Sequence, residues 1–256
     1  MCTVKEIYDY IDGFAPFYKH AEWDNVGLLV GDGSCVVKRA AVVLDITPRA
    51  AEKAGELGCQ LVISHHPIIF HPIKRLSSHD APYILAQHGI SAICAHTSLD
   101  AADGGVNDAL TEAIGLEAVR PVCCEEEGGL AFGRSGLLRD VLTASELAAG
   151  IKRRLGAPRV DFSCGERPVK SVVVSSGAGA DLYLDYCIEN GIDAFVTSEV
   201  KHHQYLEAEQ AGLAVIDAGH FCTERVICPA LANRLRAAFP DVEFAVLDEA
   251  APYQSI

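Results

Sequence analysis

Three things are scarce or missing in this sequence of 256 residues. No apolar run approaches the length of a membrane span, and the N-terminal stretch MCTVKEIYDYIDGFAP has the spacing of an amphipathic helix rather than the layout of a signal peptide. Positive charge is scarce, with 21 Lys and Arg against 35 Asp and Glu and a net charge of −14. This balance argues against a nucleic acid or an anionic membrane as the main partner.

The ten cysteines contain no C-x-x-C pair, the spacing typical of many zinc and redox sites. Several of them, such as Cys59, Cys94 and Cys187, lie inside apolar strand or helix patterns. A disulfide framework or a zinc site is the alternative, but the pattern favours free cysteines packed as small hydrophobes in a reducing cytoplasm. The sequence also lacks G-x-x-x-x-G-K-[ST], which excludes a P-loop as the means of holding a nucleotide.

The order of apolar segments predicts an α/β fold. Strand-like runs such as RAAVVLDI, CQLVIS and ISAICAH alternate with helical runs such as TPRAAEKAGELG and GVNDALTEAIG, which is the rhythm of a largely parallel, layered sheet. The segment from about Val119 to Pro168 interrupts it, with strands predicted around Gly129–Leu138 and a helix at Ala144–Leu155. The rhythm then returns with KSVVVSSG, IDAFVTS and LAVIDAGH as strands.

The two rhythmic regions resemble each other, which predicts an internal duplication. VVLDITPRAAEKAGELGCQLVISHH parallels VVVSSGAGADLYLDYCIENGIDAFVTSE, and in both regions a later strand ends in His followed four residues on by an acid. Chance similarity between two β-α-β units is the alternative. We expect two similar α/β/α layered domains, 1–120 and 121–256, with a metal site between them.

Side chains that bind transition metals follow several of the predicted strands. In open α/β sheets ligands gather at the carboxyl ends of the strands, so we predict that His65, His66, Asp100, His220 and Glu224 bind metal. His65 and His66 are adjacent and would point to opposite faces of a regular strand, so both converge only if the chain turns before Pro67. Three imidazoles and two carboxylates suit Zn, Fe, Mn or Co, and five donors shared by two ions leave positions for water.

Other residues have competing interpretations. His96 is either a further ligand or, as we favour, a catalytic residue that orients Asp100 or a bound group. Asp45 either caps the next helix or faces the metals, and Asp103 is the rival of Asp100. His202 and His203 could line a cavity or begin a helix in solvent. Gly177 and Gly179 form either an anion-binding turn at a helix N-terminus or, more often in such sequences, a tight turn without a ligand.

The segments WDNVGLLVG, LDITP, ISHHPIIF, AHTSLDAADGGVNDAL, TSE and DAGHFCTERV resemble the signature segments of the type 2 homologues of GTP cyclohydrolase I, the Nif-three-like family. The resemblance runs from about residue 5 to residue 250. It implies a dinuclear site on the five ligands named above and a ring-shaped homohexamer. It also makes Trp23, Asp24 and Asn25 functional candidates. Of the two carboxylates we assign Glu224 as the one that bridges the ions.

The resemblance implies a hydrolase in which metal-activated water attacks a nucleotide-like small molecule. A cyclohydrolase of this kind would open the imidazole ring of guanine and release formate. Two alternatives stay open at the level of the residues: a two-metal phosphoester hydrolase, and a non-catalytic metal-binding scaffold or regulatory protein.

Overall fold

The computed structural model of the chain describes residues 1–124, 128–248 and 250–254, and the side chain of Cys124 lies outside the described part. The chain divides into two compact units. The first comprises Met1–Asp103 and Ile227–Ala250, and the second comprises Gly104–Val226 and Ala251–Ile256.

Within the described ranges the chain forms ten α-helices and eleven β-strands. The elements of the first half of the chain are α1 (Val4–Phe14), β1 (Gly27–Val30), β2 (Arg39–Val43), α2 (Pro48–Glu56), β3 (Leu61–Ser64), α3 (Ala81–His88), β4 (Ser91–Cys94), α4 (Thr97–Ala101), α5 (Val106–Ile114) and β5 (Glu117–Cys124). They are followed by β6 (Leu130–Thr143), α6 (Ala144–Leu155), β7 (Asp161–Phe162), β8 (Pro168–Val174), α7 (Ala180–Glu189), β9 (Ala194–Thr197), α8 (His202–Ala211), β10 (Ala214–Asp217), α9 (His220–Glu224), α10 (Ile227–Ala238) and β11 (Glu243–Val246).

The first unit is built on a five-stranded sheet in the order β1-β4-β3-β2-β11. The pairs β4-β3, β3-β2 and β2-β11 are parallel, whereas β1 pairs antiparallel with β4. Ala51 of α2 and Leu85 of α3 pack with Val43 and Val62 in one buried cluster. Because successive strand residues point to opposite faces, the burial of Val42 as well shows that the central strands are covered on both faces, as parallel strands usually are.

The second unit contains a six-stranded mixed sheet in the order β5-β6-β8-β9-β10-β7. The three central strands β8, β9 and β10 run parallel. The strands β5, β6 and β7 are paired antiparallel with their neighbours. The α/β class predicted from the sequence is confirmed, but each sheet is mixed rather than wholly parallel.

The units differ from the predicted halves 1–120 and 121–256. The first unit is discontinuous because β11, near the C-terminus, adds to the first sheet in parallel with β2, with Glu243 opposite Arg39. Their side chains also meet in an ion pair of 2.6 Å between Arg39 and Glu243. The second unit begins at Gly104, ahead of α5, so the boundary falls before this helix rather than after it.

Local signals account for the helix that was predicted at Ala144–Leu155, which the structure has with the same bounds as α6. Thr143 accepts a hydrogen bond from the backbone of Glu146 while the Glu146 side chain accepts one from Thr143, which is a capping box. Gly156 ends the helix in the left-handed conformation that glycine adopts without strain.

The cysteine prediction is confirmed for the nine cysteines whose side chains are described, all of which are free. Cys59, Cys94, Cys187, Cys222 and Cys228 are buried. Burial raises the pKa of Cys94 well above its ordinary value, so this thiol stays neutral and packs as a small apolar group. None of the helices in the described ranges is both long and apolar enough to span a membrane.

Candidate metal centre

His65 and His66 leave the end of β3 and their rings converge, as predicted. The backbone N–H groups of His65 and His66 donate to the carbonyl groups of Val43 and Leu44 at 3.3 and 3.0 Å, so the chain stays beside β2 for two residues beyond the strand. The hydroxyl of Ser64 then donates to the His66 carbonyl at 2.8 Å, which tightens the turn. The two ring centroids are 5.0 Å apart.

His96 joins this pair to form a three-histidine cluster. It follows β4 and lies directly before α4, and its ring centroid is 5.1 Å from that of His65 and 5.5 Å from that of His66. One nitrogen of each ring lies within 4.8 Å of a nitrogen of the other two, a spacing that could accommodate a metal ion. His96 therefore fits the ligand interpretation as well as the orienting role that the sequence favoured.

Asp100 lies next to the three-histidine cluster, on the face of α4 that His65 meets. Its carboxylate Oδ1 is 3.6 Å from Nε2 of His65, and both side chains are largely buried. Asp103, the rival considered from the sequence, has an exposed side chain. The structure thus brings Asp100 rather than Asp103 to the histidines.

Each imidazole of the cluster is oriented through its Nδ1 atom. Nδ1 of His66 donates to Asp45 Oδ1 at 2.8 Å, Nδ1 of His96 donates to Asp24 Oδ1 at 2.8 Å, and Nδ1 of His65 donates to the Ala95 carbonyl at 3.1 Å. A carboxylate or carbonyl only accepts, so Nδ1 must carry the proton. Nε2 is then the atom of each ring that would bind a metal, which is the usual arrangement of metal-bound histidines.

Asp45 and Asp24 are the carboxylates that orient His66 and His96. The sequence left the role of Asp45 open and did not predict the pairing of Asp24 with His96. Asp45 bonds His66, and Thr47 caps α2 in its place by accepting from the Ala50 N–H at 3.1 Å. Asp24 was a candidate only through the WDN segment, and its pairing with His96 across 72 positions had no sequence signal. It also accepts hydrogen bonds from the Thr97 N–H and hydroxyl at 3.1 and 2.5 Å.

In the second unit His220 and Glu224 form a second donor group. They begin and end the short helix α9, so their four-residue spacing places them on one face. His220 Nε2 lies 2.9 Å from Glu224 Oε2, and the Glu224 side chain is buried. Nδ1 of His220 donates to Glu199 Oε1 at 2.7 Å, so this ring is oriented like those of the three-histidine cluster.

Glu199, which the sequence did not single out, follows β9 in a backbone conformation that is unusual for a side chain larger than glycine. Its φ is +57°, in the left-handed region, which costs a residue with a Cβ atom roughly 1–2 kcal/mol. Such strain persists where the surroundings over-determine it, often at a functional site. The sequence signals for Glu199 were its position after a buried strand, the TSE segment of the family resemblance, and its place opposite the two adjacent histidines in the duplicated segments.

The turn at Gly177 belongs to this second donor group. The Gly177 N–H donates to the Thr223 hydroxyl at 3.1 Å and the Ser176 N–H donates to Asn107 Oδ1 at 2.8 Å, so two of its amides bind side chains. A Cβ atom on Gly177 would lie 2.2 Å from Glu224 Oε1, and one on Gly179 would lie 2.2 Å from Ser175 Oγ. These contacts favour the tight-turn interpretation, in which Gly177 makes room for the Glu224 carboxylate.

The remaining predicted residues lie away from these groups. The side chains of His202 and His203 are exposed at the start of α8, which favours the solvated helix start over a cavity lining. His71, His79 and His88 are exposed as well. None of these five histidines joins a donor group among the described residues.

We expect Gly177→Ala to lower the affinity for divalent metal by about tenfold or more, because the new methyl group displaces the Glu224 carboxylate. Gly191→Ala is the matched control: Gly191 has a φ of +62°, close to the +60° of Gly177, and a Cβ there meets nothing within 4 Å. Metal uptake by elemental analysis and thermal stability are measured for both. Equal metal uptake in the two variants would show that Gly177 does not set the position of Glu224.

The pKa of Asp24 provides a pH test. Burial alone raises the pKa of Asp24. The hydrogen bond and positive charge of His96, together with the two hydrogen bonds from Thr97, outweigh burial and hold this pKa at about 2. The unfolded chain, with an Asp pKa near ~3.9, then binds the proton more readily than the folded one. This contribution to stability is therefore complete above about pH 4 and is lost as the pH falls towards 2.

We expect the unfolding free energy of the metal-free protein to fall between pH 4 and 2 by about 2 kcal/mol more than that of Asp24→Asn. Urea unfolding at several pH values measures both. The variant keeps every other carboxylate, so only the difference between the two curves reports Asp24. Parallel curves would mean that the hydrogen bonds from His96 and Thr97 do not lower the pKa of Asp24 in the folded protein.

Comparison with known proteins points to one family. A family model described as Duf34/NIF3 (NGG1p interacting factor 3) matches residues 2–252. A protein of Nostoc named GTP cyclohydrolase 1 type 2 homolog is 36% identical over 78% of this chain and 79% of its own. NGG1-interacting factor 3 of Saccharomyces cerevisiae is 29% identical over 81% of each chain.

A solved structure shares the whole fold. The crystal structure of a hypothetical protein of Staphylococcus aureus superposes with a TM-score of 0.93 at 26% identity and covers 99% of both chains. The matching family model covers nearly the full length as well. The chain belongs to the Duf34/NIF3 family.

Proposed function

We propose that this chain binds two divalent transition-metal ions through His65, His66, Asp100, His220 and Glu224. The observation that carries the proposal is the common orientation of the imidazoles, each with Nδ1 held by an oxygen acceptor. Imidazole and carboxylate donors together suit Zn, Fe, Mn or Co rather than calcium, which prefers oxygen ligands alone. The donors fit such ions in chemical type and in how they are oriented.

In this proposal the two units contribute together, so that the metals lie between the predicted α/β halves. The matching placement of a histidine and an acid four residues apart, at His96–Asp100 in α4 and at His220–Glu224 in α9, supports the internal duplication behind this idea. Glu224 would bridge the two ions. A carboxylate has two oxygens, and the missing side chain of Gly177 lets Oε1 of Glu224 occupy the place that a Cβ atom would take.

We propose further that the protein is a hydrolase for a nucleotide-like small molecule. The name GTP cyclohydrolase 1 type 2 homolog, carried by relatives such as those of Nostoc and Streptomyces coelicolor, supports this substrate class. When bound, divalent ions would supply the Lewis acidity that activates water as a nucleophile. A net charge of −14 favours a small substrate over a nucleic-acid polymer or an anionic membrane.

The side chains around the ions have separate tasks in this proposal. Asp24, with its pKa near 2, stays ionised at neutral pH and keeps a proton on Nδ1 of His96. Nε2 of His96 is then the atom that accepts a proton and returns it during the reaction. Glu199 and Asp45 hold the rings of His220 and His66 so that neither turns away from the site.

The proposed assembly rests on the family resemblance, and the proposed location rests on the cysteines. We propose a closed homohexamer, since homo-oligomers generally adopt closed symmetry, in the cytoplasm, where free cysteines persist. Light scattering at micromolar concentration measures the assembly. A mass of six chains is expected, and a monomer mass contradicts the proposal.

Metal content tests the ligand set. Elemental analysis of metal-loaded protein is expected to give about two equivalents of transition metal per chain. Glu224→Gln should lose both ions because the bridging carboxylate serves both positions. His96→Ala should keep nearly full metal content and lose activity, since residues that only orient a metal site typically cost ~10–100-fold. Equal metal loss in the two variants would show that His96 is a ligand. A content of one metal equivalent per chain in the parent protein would contradict the proposed second ion.

Product analysis tests the reaction. Metal-loaded protein is incubated with GTP and with a panel of phosphoesters, and formate and inorganic phosphate are measured separately. Formate from GTP without phosphate is expected. Phosphate alone identifies a two-metal phosphoester hydrolase, and neither product, in protein with full metal content, favours the metal-binding scaffold. Glu224→Gln serves as the inactive control.

A further inference from the structure

Two large aromatic side chains of the first unit are exposed together beside the three-histidine cluster. Trp23 is 54% exposed and Phe70 is 41% exposed, and their ring centroids are 6.0 Å apart at an interplanar angle of 49°. Single exposed apolar residues are ordinary on a protein surface, but these two are in contact. We call the pair the aromatic platform.

The aromatic platform is fixed from both of its chain segments. Asn25, two residues after Trp23, donates through Nδ2 to the Ile69 carbonyl at 2.5 Å, which ties the segment of Trp23 to that of Phe70. Asp24 binds His96 and Thr97, so the same segment is also tied to the start of α4. A ligand that binds to rings held in this way would lose little further freedom of the protein.

The aromatic platform adjoins the candidate metal ligands directly. The Trp23 ring lies edge to face with the His96 ring at 5.9 Å, and His96 in turn lies 5.1 Å from His65. Trp23 therefore contacts both Phe70 and His96, so a ligand bound on the aromatic platform lies next to the three-histidine cluster. Aromatic faces accept any flat heterocycle because every such ring has a π-face.

Positive charge follows the aromatic platform along the chain. Lys74 and Arg75 lie four and five residues after Phe70, and both are exposed. Within the described ranges neither forms an ion pair. In a chain with a net charge of −14, two exposed cations that follow Phe70 by only four and five residues favour an anionic ligand with a flat ring over an apolar partner surface.

We propose that Trp23 and Phe70 form the substrate-recognition surface of the proposed hydrolase, and that they stack against the flat heteroaromatic base of a phosphorylated small molecule. The proposal rests on the proposed function for the identity of the site. It goes further by proposing that the protein selects its substrate through contacts with the base rather than through contacts with the phosphate. Lys74 and Arg75 would meet the phosphate.

The test uses the fact that Trp23 is the only tryptophan of the chain, so its fluorescence reports on the aromatic platform alone. Guanosine 5′-monophosphate and ribose 5-phosphate, which lacks the base, are titrated into the metal-loaded protein. We expect guanosine 5′-monophosphate to quench Trp23 with saturation and ribose 5-phosphate to leave it unchanged. Equal quenching, or equal affinity by calorimetry, would overturn the proposal.

Variants separate stacking from folding. Measured by calorimetry, because the Trp23 variants lose the fluorescent residue, Phe70→Ala and Trp23→Leu should weaken guanosine 5′-monophosphate binding about 5- to 150-fold, as the loss of one stacked ring does. Trp23→Phe should retain most of the affinity. Phe162→Ala is the matched control, since Phe162 is 43% exposed on β7 of the second unit. Circular dichroism confirms the fold of each variant. Equal affinity in Phe70→Ala and Phe162→Ala would refute the stacking role.

The outcomes distinguish this proposal from the proposed function. Base-dependent quenching in a protein that releases neither formate nor phosphate supports the stacking surface and counts against the hydrolase. Product release with an unchanged kcat/KM in Phe70→Ala supports the hydrolase and refutes the stacking surface. A Phe70→Ala variant with an altered assembly mass and unaltered nucleotide affinity would identify the aromatic platform as a subunit contact and so also refute it.

Discussion

The hydrogen bond at Nδ1 of each site histidine is the interaction on which the rest of the candidate centre depends. An imidazole can bind a metal through either nitrogen, and it rotates about its side-chain bonds unless something holds it. Asp45, Asp24 and the Ala95 carbonyl hold His66, His96 and His65 in the first unit, and Glu199 holds His220 in the second. The bond fixes both the tautomer and the direction of the ring. Without these acceptors the same histidines would be ordinary polar residues at strand ends.

The parallel strands of the first sheet explain why the hydrogen-bond acceptors lie close to the histidines. The strands β2, β3 and β4 are neighbours with the same direction, so the residues that follow them reach one edge of the sheet. Asp45 follows β2, the two adjacent histidines follow β3, and Ala95 follows β4. Apart from Asp24, which precedes β1, the acceptors of the first unit and the two adjacent histidines thus come from consecutive strand ends. A mixed sheet can host such an edge as long as its central strands remain parallel.

Sequence reasoning reached the parts of the site that depend on local chemistry. The turn that makes His65 and His66 converge follows from Pro67 and strand geometry, and the bounds of α6 follow from its capping box and Gly156. The carboxylates that orient the histidines were harder to predict, because Asp45 lies 21 positions from His66 and Asp24 lies 72 positions from His96. The addition of β11 to the first sheet depends likewise on a pairing of Arg39 with Glu243 across the chain. Contacts at such separation are set by the packing of the whole unit, and no local pattern encodes them.

The placement of β11 has a consequence for how the protein is made. A chain emerging from the ribosome folds from its N-terminus, but the first sheet stays unfinished until residues 243–246 have been synthesised, because β11 covers the open side of β2. Until then β2 is an edge strand with unpaired backbone groups, the kind of surface that pairs with other chains. All six strands of the second sheet precede residue 218, so that sheet can be complete before the first. For most of its synthesis the nascent chain therefore carries its histidine pair on a sheet that has four of its five strands and lacks β11.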